Sequence, residues 1–350
     1  MSTANSSNPE YVVARVRVRR GQLYGDDDYG TLIRMGPAEI ARFMEESSYE
    51  AEITDLGARH SGVDLIEYAL NRSLARQFDD ILAWADGRLY EQVAQYLRKF
   101  DAWNLKTIIR GVYTDAPRES VETDLIRAGE FTDRQINRLL GAESIEAIAD
   151  VVDDEGIIYR NALRAALEDF RDTDILVPLE NAIDRVYYEN LLENVGTSQP
   201  ARLYEEFLHA EIDFRNARNA LRLARSGANI DPAEYFIEGG SLFSRGDISR
   251  LAADIDTLVE YIRDSAYGED LSDALRQLEE ADSLIAFEHA TDAALLEYGQ
   301  ELGLTHPVSV TPVISYVLAK EREVENIRAI ARGKEAGLPN DGIEEELVIT

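Results

Sequence analysis

The sequence predicts an all-α protein made of three similar helical repeats, and three observations carry that prediction. A short motif recurs as NLKTIIR from Asn104, NARNALR from Asn216 and NIRAIAR from Asn326, at separations of 112 and 110 residues. Each copy reads Asn, any residue, Lys or Arg, three residues, Arg, with an acidic residue three positions ahead at Asp101, Asp213 and Glu323. Apolar residues around all three copies follow three- and four-residue spacing, the period of a helix with one packed face: Leu105, Ile108, Ile109 and Val112; Phe214, Ala217, Leu221 and Ala224; Val324, Ile327 and Ala331.

Taken in order, residues 1–9 form a polar stretch with no basic run leading into an apolar one, so they are expected to be a disordered tail rather than a secretory signal. The first repeat is assigned to residues 10–112. Near its start Ala14, Val16 and Val18 alternate with Arg15, Arg17 and Arg19, a period-two pattern that locally favours a strand; the helical character of the rest overrides it. Leu70, Leu74, Phe78, Ile81 and Ala85 then mark a long helix.

The second repeat is assigned to 113–223 and the third to 224–350. A second marker supports this division: Ile40 with Arg42, Ile136 with Arg138 and Ile248 with Arg250 each open an Ile-x-Arg-(Phe/Leu) run ahead of the asparagine motif. IRAGEFTDRQINRLL from Ile126 also lies over IEGGSLFSRGDISRL from Ile237 with one added residue. Pro117, Pro200 and Pro232 fall in breaks between periodic runs. Familiar helical solenoids repeat every 20 to 50 residues, so a period near 110 favours closure of three units around an axis over an open array.

Composition narrows the function. The chain carries 36 Lys+Arg against 67 Asp+Glu, a formal net charge of -31, which opposes broad contact with nucleic acid or anionic lipid. Its only lysines are Lys99, Lys106, Lys320 and Lys334. Molar salt shortens the Debye length to about 3 Å and screens repulsion among surface carboxylates, so the acidity is read as adaptation to a halophilic cytoplasm. With no cysteine, disulfides, thiolate catalysis and thiolate zinc sites are excluded. The uncharged stretch 307–319 is shorter than the roughly 20 residues of a membrane-spanning helix.

No catalytic constellation is found. The sequence lacks GxxxxGK[ST], HExxH, GxSxG and GxGxxG patterns. His60, His209, His289 and His306 are scattered and not paired at helical spacing. The acidic runs at 26–28 and 150–155 fit no EF-hand, which needs alternating oxygen ligands, a central glycine and a closing glutamate. No metal, cofactor or catalytic residue is therefore expected, and no pair among the many carboxylates is singled out for acid–base work.

The candidate functional residues are those of the repeated motif: Asn104, Lys106, Arg110, Asn216, Arg218, Arg222, Asn326, Arg328 and Arg332. Arginine forks bind carboxylates in a planar two-point geometry, so three equivalent helices could present them to a protein partner. Equally, such cations four residues apart often form surface ion pairs or lock helices within each unit.

YVVARVRVRR from Tyr11, the NLKTIIRG and ENIRAIARGK motifs and PVISYVLAKEREVENIR from Pro312 resemble the C subunit of A-type ATP synthases, which is related to the d subunit of eukaryotic V-type ATPases. The resemblance runs from Tyr11 to the C-terminus and is most specific from Pro312 through Gly337. This sequence departs from the family in its acidity and its use of Arg for Lys. The resemblance implies a helical funnel with a pseudo-threefold axis, seated on the membrane proteolipid rotor ring and receiving the tip of the central stalk. It further implies a peripheral protein on the cytoplasmic face of the cell membrane, a non-catalytic coupler in ATP synthesis driven by ion (proton) transport. The competing expectations are a helical-repeat scaffold unrelated to rotary ATPases and an enzyme using acidic residues with a divalent ion.

Overall fold

A computed structural model of the chain describes residues 7–193, 195, 199–226, 232–251, 254–265, 267–269, 271–272, 275–276 and 284–348. Helices account for all the regular structure among them, and no strand occurs there. The all-α expectation therefore holds, whereas most of the predicted tail, residues 1–6, lies outside the described residues.

The helices are α1 (Pro9–Arg20), α2 (Asp26–Leu32), α3 (Pro37–Glu45), α4 (Glu50–Leu56), α5 (Gly62–Trp84), α6 (Gly87–Leu97) and α7 (Lys99–Tyr113). There follow α8 (Arg118–Thr123), α9 (Asp133–Leu140), α10 (Ile145–Asp154), α11 (Arg160–Thr173), α12 (Val177–Glu193) and α13 (Gln199–Ser226). A 3-10 turn at Pro232–Tyr235 precedes α14 (Arg245–Leu251), α15 (Ile255–Arg263), α16 (Leu284–Thr305), α17 (Thr311–Glu335) and α18 (Asn340–Glu344). The sequence divisions near 112 and 224 fall close to helix C-termini, at the ends of α7 and α13.

The alternating Val/Arg segment is α1. Pro9 occupies the first turn, where its missing N–H costs nothing, and Arg17, Arg19 and Arg20 sit in the last turn, where the helix dipole favours cations. Its buried residues are Val12, Val13 and Val16, a helical stripe, while Val18 is 67% exposed. The Arg15 guanidinium lies 4.5 Å over Tyr11, one turn away, and 4.9 Å over Trp84; that of Arg19 lies 4.4 Å over Trp84. Two of the three alternating arginines, Arg15 and Arg19, are thus placed by stacking on aromatic rings, while Arg17 is exposed.

Packing gathers the chain into two compact units. The first comprises the described residues within 1–97, 126–128 and 299–350. Its axis is α5, whose Ile66, Leu70, Leu74, Phe78 and Ile81 are fully enclosed, packed against α3, α4 and α17. The second comprises 98–125 and 129–298. There α12 packs on α7 and α11, and Leu163, Leu179, Ile183, Phe207, Leu208 and Ile212 are buried.

The Ile-x-Arg marker falls on short helices, α3, α9 and α14, each built around a buried isoleucine, Ile40, Ile136 and Ile248. Their starts are chemically defined. The Gly36 N–H donates to the Glu39 carboxylate at 3.0 Å, Thr132 accepts from the Gln135 amide at 3.3 Å, and Ser244 accepts from the Asp247 amide at 3.2 Å. Each is a capping pair that satisfies amides left open at a helix start.

Candidate functional site: a lock repeated three times

Three kinds of contact recur among the motif helices, the acidic and cationic ones in all three copies and the asparagine one at Asn216 and Asn326. The first belongs to the acidic residue. On α7, Asp101 accepts from the backbone N–H groups of Glu130 at 2.8 Å and Phe131 at 2.9 Å. On α13, Asp213 accepts from Ser241 at 2.8 Å and Leu242 at 2.9 Å. On α17, Glu323 accepts from the Tyr24 N–H at 3.1 Å and from the Tyr49 hydroxyl at 2.5 Å. A buried carboxylate accepting two amides ties down a loop that has no helix or sheet to satisfy it.

The close approach demands glycine beside it. A Cβ on Gly129 would stand 2.2 Å from Asp101 Oδ1, and one on Gly240 would stand 2.0 Å from Asp213 Oδ1. Burial pushes the Asp101 carboxyl up to about 7, with the two amide donations lowering it only in part. Asp213 is raised for the same leading reason.

The second contact belongs to the asparagine. Asn216 donates to the Ile237 carbonyl at 2.9 Å and accepts from the Ile237 N–H at 3.0 Å. Asn326 treats Val348 identically, at 2.8 and 3.1 Å. A carboxamide matches a peptide group donor for acceptor, which is why the position is Asn and not Asp. Asn104 is equally buried, at 1% exposure.

The third contact belongs to the two cations. Lys106 reaches Asp184 at 2.6 Å, and Arg110 grips Glu180 through Nε at 2.5 Å and Nη2 at 2.8 Å. Arg218 reaches Asp292 at 2.6 Å, and Arg222 grips Glu288 through Nε and, at 2.6 Å, Nη2. Arg328 reaches Asn71 at 2.6 Å, and Arg332 grips Glu67 through Nε and, at 2.9 Å, Nη2. In every pair the cation one turn further along its helix meets the acid one turn earlier, so the two helices run antiparallel.

These partners carry a signal of their own in the sequence, one that the asparagine motif does not reveal. Glu67-Tyr-Ala69-Leu-Asn71, Glu180-Asn-Ala182-Ile-Asp184 and Glu288-His-Ala290-Thr-Asp292 share Glu-x-Ala-x-(Asp/Asn). The acidic residues lie one turn apart on α12 and α16 and match the cations one turn apart on α7 and α13. On α5 the second acid is replaced by a neutral asparagine.

The order of pairing is cyclic. The motif helix of the first repeat (α7) locks to the long helix of the second (α12), that of the second (α13) to the third (α16), and that of the third (α17) back to the first (α5). Copies one and two are bridged as well, because Asp184 is also 3.7 Å from Arg215.

Access to an outside partner differs along the motif. Asn104, Asn216 and Asn326 are at most 2% exposed. Lys106 and Arg218 keep 12% and 20% of their side-chain surface, but Arg110, Arg222 and Arg332 keep 48%, 59% and 53%. Every one of these cations faces a carboxylate or carboxamide of the chain itself, an arrangement suited to holding helices rather than to moving protons or bonds. Among the described residues no group of acidic or histidine side chains is placed to hold a metal ion, and no helix is long and apolar enough to cross a membrane.

Comparison with known proteins gives the arrangement its context. The family model described as ATP synthase (C/AC39) subunit matches residues 12–346. The chain is 70% identical over 350 residues to the C subunit of the A-type ATP synthase of Halorubrum lacusprofundi, covering 100% of both chains. It is 64% identical over 349 residues to that of Haloferax volcanii, again covering 100% of both. With the corresponding protein of Methanosarcina mazei it shares 33% over 350 residues, 98% of this chain and 94% of the relative. The haloarchaeal origin of the first two agrees with the halophilic reading of the charge. With a match that spans nearly its whole length and includes all three motif helices, the chain belongs to the ATP synthase (C/AC39) subunit family, whose members are non-catalytic accessory subunits.

Proposed function

We propose that this protein is the rotor adapter of an A-type ATP synthase, joining the central stalk to the membrane proteolipid ring so that ion-driven rotation of the ring reaches the nucleotide-binding head. The observation that carries the reading is the cyclic order of the locks. A torque coupler must resist shear between its helices, and clamps between antiparallel helices, two cation–carboxylate pairs at two junctions and one such pair beside a cation–carboxamide bond at the third, supply that stiffness. The three repeats are then units of a funnel about a pseudo-threefold axis, and the protein associates with the cytoplasmic face of the membrane through the ring.

Of the nine motif side chains, Arg110, Arg222 and Arg332 are the ones open enough for a partner's carboxylates to share. The three asparagines, Lys106, Arg218 and Arg328 act as internal locks. Alanine at Arg222 and Arg332 separates the two roles: loss of stalk binding with unchanged melting marks an interface, and lowered melting with retained binding marks a lock.

The deciding experiment is to tag the protein in a native halophilic host, solubilise membranes gently in molar salt and identify what copurifies. Recovery with proteolipid-ring and stalk proteins supports the coupler. Recovery without any other ATP synthase component overturns it and leaves a three-unit helical scaffold.

A further inference from the structure

The three junctions of the cycle are chemically alike but covalently different. In the second repeat the asparagine holds Ile237 and the aspartate holds Ser241 and Leu242, so both clamp one short stretch of chain, the stretch that leads into the third repeat. In the first repeat Asp101 likewise holds Glu130 and Phe131, on the chain leading into the second. In the third repeat the same two side chains hold Val348 and Tyr24, which lie at opposite ends of the sequence. Among the described residues no short peptide segment joins the two gripped stretches, as one does in the second repeat.

At this place the structure adds a buried polar network. Lys320, 0% exposed, donates to Glu323 at 2.7 Å and to the Tyr49 hydroxyl at 2.8 Å, with its Nζ 4.0 Å over the Tyr49 ring. Tyr49 is 0% and Glu323 2% exposed. Arg20 reaches Ser315 at 2.9 Å, and Tyr316 bonds Gln77. The counterparts of Lys320, six residues before the motif asparagine, are Arg98, whose pairing with Glu130 leaves both side chains partly exposed, and Ala210.

We infer that the junction between the last and the first third of the chain is a non-covalent seam, the one place where the cycle opens, and that the buried Lys320–Glu323–Tyr49 network replaces the missing peptide tether. A buried ion pair contributes little net stability when intact but costs much when one partner is lost, and it enforces a single register. Those are the properties a closure needs. Tethered junctions re-form at the high effective concentration that a short linker provides; the seam closes through specificity instead. The inference stands on the junction chemistry and is independent of the rotor reading.

Hydrogen exchange on the full-length protein in molar salt tests it. Lys320→Met is expected to speed exchange at least about tenfold around residues 24–49 and at 347–348, leaving 130–131 and 237–242 at wild-type rates. Joining residue 350 to residue 1 through a flexible linker should suppress most of that increase. Arg98→Met, at a tethered junction, should produce no comparable opening. Should Lys320→Met not fold, Tyr49→Phe removes one hydroxyl of the network and is read in the same way. Equal acceleration at all three junctions, or an increase untouched by joining the ends, overturns the seam.

Discussion

Arg332 and Glu67 face each other as a two-point ion pair, Nη2 2.9 Å from Oε2, although 265 residues separate them in the chain. The Glu67 side chain is only 8% exposed while that of Arg332 is 53% exposed. The carboxylate is thus the buried partner and the arginine the solvated one. The energetic consequences of cutting the pair depend on which side is removed.

Truncating the arginine strands a buried charge. Arg332→Ala should therefore destabilise the protein by about 1–3 kcal/mol, while Glu67→Gln, which leaves a solvated arginine and a neutral amide, should cost less than about 1 kcal/mol. Thermal unfolding of both variants in the same salt checks the order, and a larger loss for Glu67→Gln would contradict this account of the pair.

The asparagine clamps predict a stricter requirement. Asn216→Ala leaves the buried N–H and C=O of Ile237 without their partner, at about 1–3 kcal/mol for each stranded group. Asn216→Asp should be at least as damaging, since a carboxylate cannot donate to the Ile237 carbonyl. Denaturant midpoints of the two variants measure this, and the same pair at Asn326 should reproduce it at Val348.

Glycine beside the aspartate is predicted to be indispensable. Because a Cβ on Gly240 would lie 2.0 Å from Asp213 Oδ1, Gly240→Ala must displace the carboxylate from its two amides and should cost about 1–3 kcal/mol. In the Asp213→Ala background the same alanine should cost markedly less, a non-additivity that a double-mutant cycle reads directly.

Asp101 predicts a pH dependence. Its folded pKa of about 7 lies above the ordinary value of 3.8, so the folded state binds the extra proton. Its contribution to stability is full below about pH 4, declines as pH rises, and is gone above about pH 7. The difference in melting temperature between wild type and Asp101→Asn should slope across that window and flatten above it; a flat difference throughout would show that the carboxylate is ionised at no cost.

Net charge predicts the response to salt. With -31 on the chain, dilution from molar salt to about 0.1 M lengthens the screening distance from about 3 to about 10 Å and restores repulsion among the surface carboxylates. Melting temperature should fall steeply on dilution, even though the exposed ion pairs individually strengthen.

Much of the architecture was legible in the residues. Helical spacing around Leu105, Phe214 and Val324 identified the motif helices, and the isoleucines at 40, 136 and 248 are buried where the second marker put them. The α1 segment shows the limit of local pattern, since Val12, Val13 and Val16 pack inward while Arg15 and Arg19 stack on Tyr11 and Trp84. The motif itself was visible, but not the direction of its side chains. Arg222 sits opposite Glu288 only because α13 and α16 run antiparallel in register, and Glu-x-Ala-x-Asp is too short a pattern to stand out in so acidic a chain.

By itself, the sequence determined the helical class, the recurrence of the asparagine motif at Asn104, Asn216 and Asn326, and the acidity that suits molar salt. These properties follow from periodicity, composition and spacing, which are local. Tertiary structure alone decided that Asn216 and Asn326 grip peptide groups 21 and 22 residues onward, that each cation is claimed by a carboxylate or carboxamide of another repeat, and that the last repeat closes on the first. Those outcomes depend on which helix faces meet, and burial makes the choice: a buried amide or carboxylate must find its partner inside the fold, wherever along the chain that partner happens to lie.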